Sequence, residues 1–240
     1  MVDRLSIKNR SKEILLREKH EPNIFVVTGL YVIIVFILSV IRTYLSDYEE
    51  LYDEIYNALT SLTIPSLQSI FTVRGTLFYF AATIISAVIS FGYTIYLLRI
   101  TRGEDTTLWT LFEGFEFFFK YIAMYILIGI ITVAGMALFI VPGIILSIVF
   151  SQAAYILIDN PELSVTSSMR ESARLMKGRW KEFFVLELSL LGWYLSSELV
   201  IYLLGYFGCV TYLWVHPYMG LIFAQYYNEI QSLCDESFAE

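Results

Sequence analysis

The sequence predicts an all-α polytopic membrane protein with six transmembrane helices arranged as three hairpins, each preceded by a cytoplasmic interfacial amphipathic helix. The 240 residues are 57% hydrophobic and only 16% charged, whereas a soluble domain is typically about 25% charged. The apolar residues lie in long runs that contain few charges. This arrangement is typical of membrane spans rather than of a large soluble core.

The apolar runs divide the chain into a series of similar units. The first run is long enough, at about 33 Å as a helix, to cross a bilayer. The six predicted spans lie near residues 24–45, 77–98, 121–140, 143–158, 183–204 and 208–227. We predict one integral-membrane domain over residues 1–240. Its units are a cytoplasmic N-terminal helix (1–23), a first hairpin (24–98) with an acidic outer segment (46–75), a second surface helix and hairpin (104–158), a third surface helix and hairpin (164–227) and a cytoplasmic tail (228–240).

The three units have similar entry segments, which start at Glu13, Trp109 and Ala173. Each segment passes from a surface helix through a polar or aromatic elbow into a span. The units are either three copies of one repeat or independent hairpins. Independent hairpins would also have basic and aromatic elbows, because the membrane interface favours those residues.

The distribution of basic residues predicts the orientation in the membrane. Six spans place both termini on the same side, and the positive-inside rule then selects that side. With the N-terminus in the cytoplasm, all Lys and Arg residues except Arg42 and Arg74 lie in cytoplasmic segments. We therefore predict a multi-pass cell-membrane protein with both termini cytoplasmic. The net charge of −7 argues against nucleic acid as a partner.

Turn and capping signals surround the fourth predicted span. Val141-Pro142-Gly143 predicts the turn before it, and Asp159-Asn160-Pro161 predicts its end. Ser164 is placed to cap the third surface helix. On that helix Arg170, Arg174 and Lys177 form a basic stripe. The stripe is either a contact for anionic lipid headgroups or a docking face for a partner protein, and composition favours lipid.

Several short motifs together resemble a known bacterial family. The motifs are Ile140-Val141-Pro142-Gly143, the run from Tyr155 to Pro161, the run from Leu175 to Gly178, Gly192-Trp193, Pro217-Tyr218 and Tyr226-Tyr227. The chain is similar, over about residues 100–230 and more weakly over 7–16, to the integral-membrane family called domain of unknown function 975. The resemblance implies a polytopic bacterial membrane protein. It implies no reaction, ligand or catalytic residue.

Two carboxylates lie within the fifth predicted span. Glu187 and Glu198 are eleven residues apart and fall close to one helix face, with Tyr194 near it. His216, beside Pro217 in the sixth span, is a possible partner, and Pro217 is expected to interrupt that helix. These residue types occur in ion and proton pathways. The alternative is that they make interhelical hydrogen bonds. We favour this alternative because the pathway is supported only by two carboxylates and a proline.

The outer acidic segment contains a second candidate contact surface. Tyr48, Leu51, Tyr52 and Ile55 lie three or four residues apart. This spacing predicts an amphipathic helix whose tyrosine-rich face would meet a partner outside the cell.

The sequence contains none of the common enzyme motifs, such as HExxH, GxSxG, GxGxxG or the phosphate-binding loop. Its two histidines are too far apart to share a metal site, and its two cysteines do not form a disulfide framework. We therefore predict no cofactor, no metal and no enzymatic activity. The favoured function is a non-enzymatic accessory, regulatory or immunity-type factor that acts through lipid or membrane-protein contacts. The alternative is a small transporter or channel that uses the carboxylates and His216.

Overall fold

A computed structural model describes residues 2–16, 22–45, 60–61 and 73–239. Within these ranges every regular element is a helix. In chain order the named helices are α1 (Arg4–Leu16), α2 (Ile24–Leu45), α3 (Val73–Arg102), a first 3-10 helix (Leu108–Phe117), α4 (Phe118–Leu138), α5 (Ile140–Val149), α6 (Ala153–Asp159), α7 (Val165–Leu175), α8 (Trp180–Leu204), a second 3-10 helix (Gly205–Thr211) and α9 (Tyr212–Ala239).

Five segments of the described chain are long and apolar enough to cross a membrane. They are Ile24–Ile41, Leu77–Arg102, Leu108–Leu138, Ile140–Asp159 and Trp180–Leu204. Large apolar side chains on these segments are exposed, including Phe119 and Tyr202, which are 85% and 86% exposed. Exposed apolar surface of this extent fits lipid rather than water. The chain is therefore an all-helical membrane protein. The sixth predicted span, near residues 208–227, coincides with parts of the second 3-10 helix and α9, and it stays a prediction.

Helix α9 lies at the centre of the described bundle. Leu221 packs with α2 and α3, Tyr226 and Ile230 pack with α1 and α8, and Tyr227 packs with α3 and α6. All four side chains are at most 1% exposed. A helix that is apolar on several faces is buried by its neighbours. As a result, α9 holds together elements that are far apart in the sequence.

The turn between α4 and α5 lies at Phe139, two residues before the predicted turn at Val141-Pro142-Gly143. Phe139 is extended, with φ −159° and ψ 146°, and α5 starts at the next residue. Pro142 therefore sits in the first turn of α5, where its missing N–H is tolerated. Gly143 packs against α4, because a Cβ there would lie 2.8 Å from the backbone nitrogen of Met136. The bend of the hairpin is therefore made by Phe139, and Gly143 allows the two helices to pack closely beside it.

Two of the three predicted surface helices differ from a simple interfacial helix. Helix α1 buries Ile7, Ser11 and Leu15 against the bundle. The second is a 3-10 helix that packs along α3, with Leu111 fully buried. Amphipathic patterning cannot distinguish lipid from another helix as the partner of an apolar face.

The signals after the fourth span are confirmed. Helix α6 ends at Asp159, and the Ser164 hydroxyl accepts a hydrogen bond from the Ser167 backbone nitrogen at 3.2 Å, as a capping residue does. Helix α9 differs from expectation in two respects. It runs unbroken through Pro217, and it continues to Ala239 where a separate tail was expected.

Candidate functional site

A cavity of about 300 Å³ lies inside the bundle, between α2, α3, α6, α8 and α9. Its walls are mostly aromatic and hydroxyl-bearing side chains. They include five tyrosines, Tyr31, Tyr93, Tyr155, Tyr194 and Tyr212, together with Ser90, Thr94, Ser197 and His216. Leu97, Val215, Met219, Gly220 and Phe223 complete the lining. A largely apolar cavity with a few convergent polar groups is typical of a small-ligand site.

The α2–α3 wall of the cavity is held rigidly by hydrogen bonds between spans. The hydroxyls of Tyr31 and Ser90 are 3.1 Å apart, and those of Tyr93 and Thr28 are 2.8 Å apart. Thr28 donates its single proton to the carbonyl of Ile24 at 2.7 Å, so Tyr93 donates to Thr28. The Tyr31 and Tyr93 rings stack at 4.4 Å and 6°. These contacts set the orientation of two aromatic walls before any ligand enters.

The α9 wall centres on His216. Its ring centroid lies 4.8 Å from that of Tyr212, edge to face, and 5.8 Å from that of Tyr31. Among the residues described, no hydrogen bond to the imidazole accompanies these ring contacts. The imidazole of this lining residue therefore keeps its hydrogen-bonding capacity.

The structure separates the two intramembrane carboxylates predicted to share a pathway. Glu198 accepts a hydrogen bond from the Tyr212 hydroxyl at 2.8 Å, so it is connected to the cavity through one lining residue. Glu187 is half-buried and does not line the cavity. Tyr194 lines the cavity and is 49% exposed, which places it at the edge. The predicted set is thus brought together in part, as Tyr194, Glu198 and His216.

A second polar site, the Arg102–Asp159 cluster, joins the C-terminal ends of α3 and α6 to the second half of α9. Arg102 makes a bidentate pair with Asp159, with hydrogen bonds of 2.6 and 2.8 Å. Tyr227 donates its hydroxyl to the same carboxylate at 2.8 Å. The Arg102 Nε donates to Asn228 at 3.0 Å, and Asn228 donates to Thr101 at 2.9 Å. A planar guanidinium held by three hydrogen bonds to Asp159 and Asn228 fixes the relative positions of the helices that carry these residues.

The cavity and the Arg102–Asp159 cluster share one pair of rings. Tyr155 lines the cavity and stacks on Tyr227 at 5.1 Å and 18°. Tyr227 in turn donates to Asp159 and lies 5.9 Å from the guanidinium carbon of Arg102. The cluster was missed from sequence, where Arg102 contributed only to orientation and Asp159 only to a helix end. The available signal was a charged residue at the C-terminal end of each of two apolar runs.

The basic stripe on α7 is exposed, with one internal pair. The Arg174 guanidinium lies 3.2 Å from Glu171, and these side chains are 69% and 41% exposed. Arg170 and Lys177 are exposed as well. The opposite face is anchored, because the Ser172 hydroxyl donates to the carbonyl of Val149 at 2.7 Å. The helix is therefore fixed to the bundle with its basic residues facing outward.

The candidate outer surface of Tyr48, Leu51, Tyr52 and Ile55 lies outside the described residues. Within the described part of the chain, no group of three or more His, Cys, Asp and Glu side chains is arranged to hold a metal ion.

The fold and the cavity define a class: an all-helical membrane protein with a tyrosine-rich cavity inside its bundle. Residues 129–234 match the family described as Protein of unknown function (DUF975). This match confirms the resemblance found from the sequence motifs. The matched range contains Tyr155, Asp159, Tyr194, His216 and Tyr227. No curated protein and no solved structure matches the chain.

Proposed function

We propose that the protein is a small, non-enzymatic transporter of the bacterial cell membrane that binds its ligand in the tyrosine-lined cavity. The cavity itself is the observation that carries this proposal. Polar and ionisable groups are costly inside a membrane, and where they gather they commonly line ligand or ion pathways. Tyr194 and His216 line this cavity, and Glu198 is one hydrogen bond away.

The proposal includes six spans, with both termini cytoplasmic. Arg10 in α1 lies 3.5 Å from Glu229 in the second half of α9, which supports placing both termini at one end of the bundle. Arg179, just before α8, donates to the carbonyl of Ile230 at 3.1 Å. Helices α8 and α9 therefore run in opposite directions. Termini on one side require an even number of crossings, so α9 would be the sixth span. The excess of Lys and Arg at this end favours the cytoplasm.

Cysteine accessibility tests the transporter proposal without knowledge of the ligand. In a background with Cys209→Ser and Cys234→Ser, Ser197→Cys would place a thiol in the cavity. We expect it to react with a membrane-impermeant methanethiosulfonate applied from either side of the membrane. The reason is that a transporter opens its site to water on both faces in turn.

Ser196→Cys provides a matched control at the same depth. Ser196 is exposed on the lipid side of α8, whereas Ser197 is 1% exposed and lines the cavity. A thiol in lipid has no water to stabilise the reactive thiolate, so Ser196→Cys should stay unlabelled. If Ser197→Cys were as unreactive as Ser196→Cys from both sides, the transporter proposal would be wrong.

A second candidate function is an accessory, regulatory or immunity-type role through contacts with anionic lipid or with other membrane proteins. The exposed basic stripe on the anchored helix α7 favours it. Anionic headgroups attract basic side chains, and each basic residue near the membrane surface contributes about 1 kcal/mol to the binding free energy. Phosphatidylglycerol should therefore raise the thermal stability of the purified protein more than phosphatidylcholine does.

The charge-neutralised variant with Arg170→Gln, Arg174→Gln and Lys177→Gln should lose most of that difference between lipids. The measurement is the unfolding temperature in mixed micelles of each lipid, at low and high salt. A lipid difference that survives both the triple substitution and high salt would rule out this surface as the anionic-lipid contact.

A further inference from the structure

We propose that the cavity is a binding site for a small, free organic cation that carries a quaternary ammonium group. This inference rests on the proposed function, because it names the class of ligand for the same cavity. At about 300 Å³, the space is at the lower end of small-ligand pockets. It suits a compact head group rather than an extended molecule.

The walls of the cavity match this chemistry. Half of its lining residues are aromatic: five tyrosines, Phe223 and His216. An aromatic ring has a negative face that attracts a cation, and a cage of several rings is the usual way in which proteins recognise quaternary ammonium groups. Tyr31 and Tyr93 are already oriented by their hydrogen bonds to Ser90 and Thr28. The site therefore loses little side-chain freedom when it is filled.

The charges around the cavity favour a cation over an anion. Among the described residues no Lys or Arg lines it, whereas the Glu198 carboxylate accepts a hydrogen bond of 2.8 Å from the Tyr212 hydroxyl, and Tyr212 does line it. A tyrosine that donates to a carboxylate is polarised toward greater negative charge on its ring. The negative charge of Glu198 therefore strengthens the attraction of the Tyr212 ring for a cation in the cavity.

A bulky organic cation fits better than a metal ion. A small hard cation requires several oxygen ligands at close range, and within the described ranges no group of three or more acidic, histidine or cysteine side chains is arranged to hold one. A quaternary ammonium group donates no hydrogen bond and is weakly hydrated. It can therefore enter a cavity whose tyrosine hydroxyls are already engaged on the α2–α3 side.

The test compares choline with 3,3-dimethyl-1-butanol, which has the same shape but a neutral carbon in place of the nitrogen. The full chain is reconstituted in phosphatidylglycerol nanodiscs, and binding is measured by isothermal titration calorimetry. We expect choline to bind about thirtyfold more tightly than the neutral isostere, the ratio that corresponds to a desolvated cation–π contact.

Two carboxylate substitutions sharpen the test. Glu198→Gln removes the charge but keeps an oxygen that can accept from Tyr212, so choline affinity should fall about tenfold while binding of the neutral isostere stays unchanged. Glu187→Gln removes an intramembrane carboxylate that does not line the cavity, and it should change neither affinity. Unchanged unfolding temperatures for both variants would show that each has folded.

The outcomes separate this inference from the proposed function. Equal affinity for choline and its neutral isostere would overturn the cation site and leave the cavity as a site for neutral ligands. Binding of neither compound, with Ser197→Cys still reactive from both sides, would overturn the cation site alone. Nanodiscs of phosphatidylcholine that block choline binding would point to the lipid headgroup as the occupant, and would overturn the free cation.

Discussion

Among the described glycines, Gly92 and Gly114 are expected to be the most damaged by substitution with alanine. The first 3-10 helix meets α3 at these two residues, backbone against backbone. A Cβ at Gly92 would overlap the carbonyl oxygen of Leu111, and one at Gly114 would lie 2.8 Å from the backbone nitrogen of Gly92. Because both neighbours are main chain, neither can move aside as a side chain would.

The expected cost of each alanine is about 3 kcal/mol or more, at the upper end of what overpacking costs in a close-packed core. It should appear as a large loss of monodisperse protein on size-exclusion chromatography and as a lower unfolding temperature. Leu111 would be displaced from its fully buried position, so the effect would include lost apolar burial as well as strain.

Gly129 and Gly192 provide matched controls within membrane-spanning helices. A Cβ at either position meets nothing within 4 Å. Alanine there should leave the unfolding temperature unchanged or raise it, because alanine is about 1 kcal/mol better than glycine in a helix. If Gly92→Ala behaved like Gly129→Ala, the close docking of the 3-10 helix on α3 would be contradicted.

Arg102→Gln is expected to destabilise the bundle by about 2 kcal/mol. The Arg102 and Asp159 side chains are 28% and 14% exposed, so the bidentate pair is only partly in water. Removing the guanidinium leaves the Asp159 carboxylate with the hydrogen bond from the Tyr227 hydroxyl. Loss of a charged hydrogen-bond partner at a sheltered site costs about 1.5–3 kcal/mol.

The measurement is a double-mutant cycle with Arg102→Gln and Asp159→Asn, read from thermal unfolding in detergent. We expect the two effects to be non-additive, since each substitution disrupts the same pair. Arg174→Gln is the control, because Arg174 and Glu171 form an exposed pair with 69% and 41% exposure. Such pairs contribute at most about 1 kcal/mol. Equal effects of Arg102→Gln and Arg174→Gln would contradict a structural role for the Arg102–Asp159 cluster.

Local signals in the sequence predicted much of the helical framework. The first span was expected at residues 24–45 and is the helix Ile24–Leu45. Asp159 ends α6 and Ser164 caps α7, as their types and positions indicated. Each of these features depends on residues within one or two helical turns, so its physical cause lies within the stretch of sequence that predicts it.

Expectations that depended on packing succeeded less well. The Val141-Pro142-Gly143 motif suggested a turn, but a proline is also compatible with the first turn of a helix, and the bend lies at Phe139. Glu187 and Glu198 fall close to one face of an ideal helix. However, only Glu198 connects to the cavity, because Tyr212 from the neighbouring helix reaches that carboxylate.

The sequence by itself determined that the chain is a helical membrane protein, which family motifs it carries and where several helices begin and end. These properties follow from the length of apolar runs and from short-range turn chemistry. The tertiary structure alone decided the cavity and the Arg102–Asp159 cluster. Thr28 and Tyr93, at 65 residues apart, and Arg102 and Asp159, at 57 residues apart, meet only when separate helices pack together. The rings and charges that would recognise a ligand are thus selected by contacts between helices rather than by any one stretch of the chain.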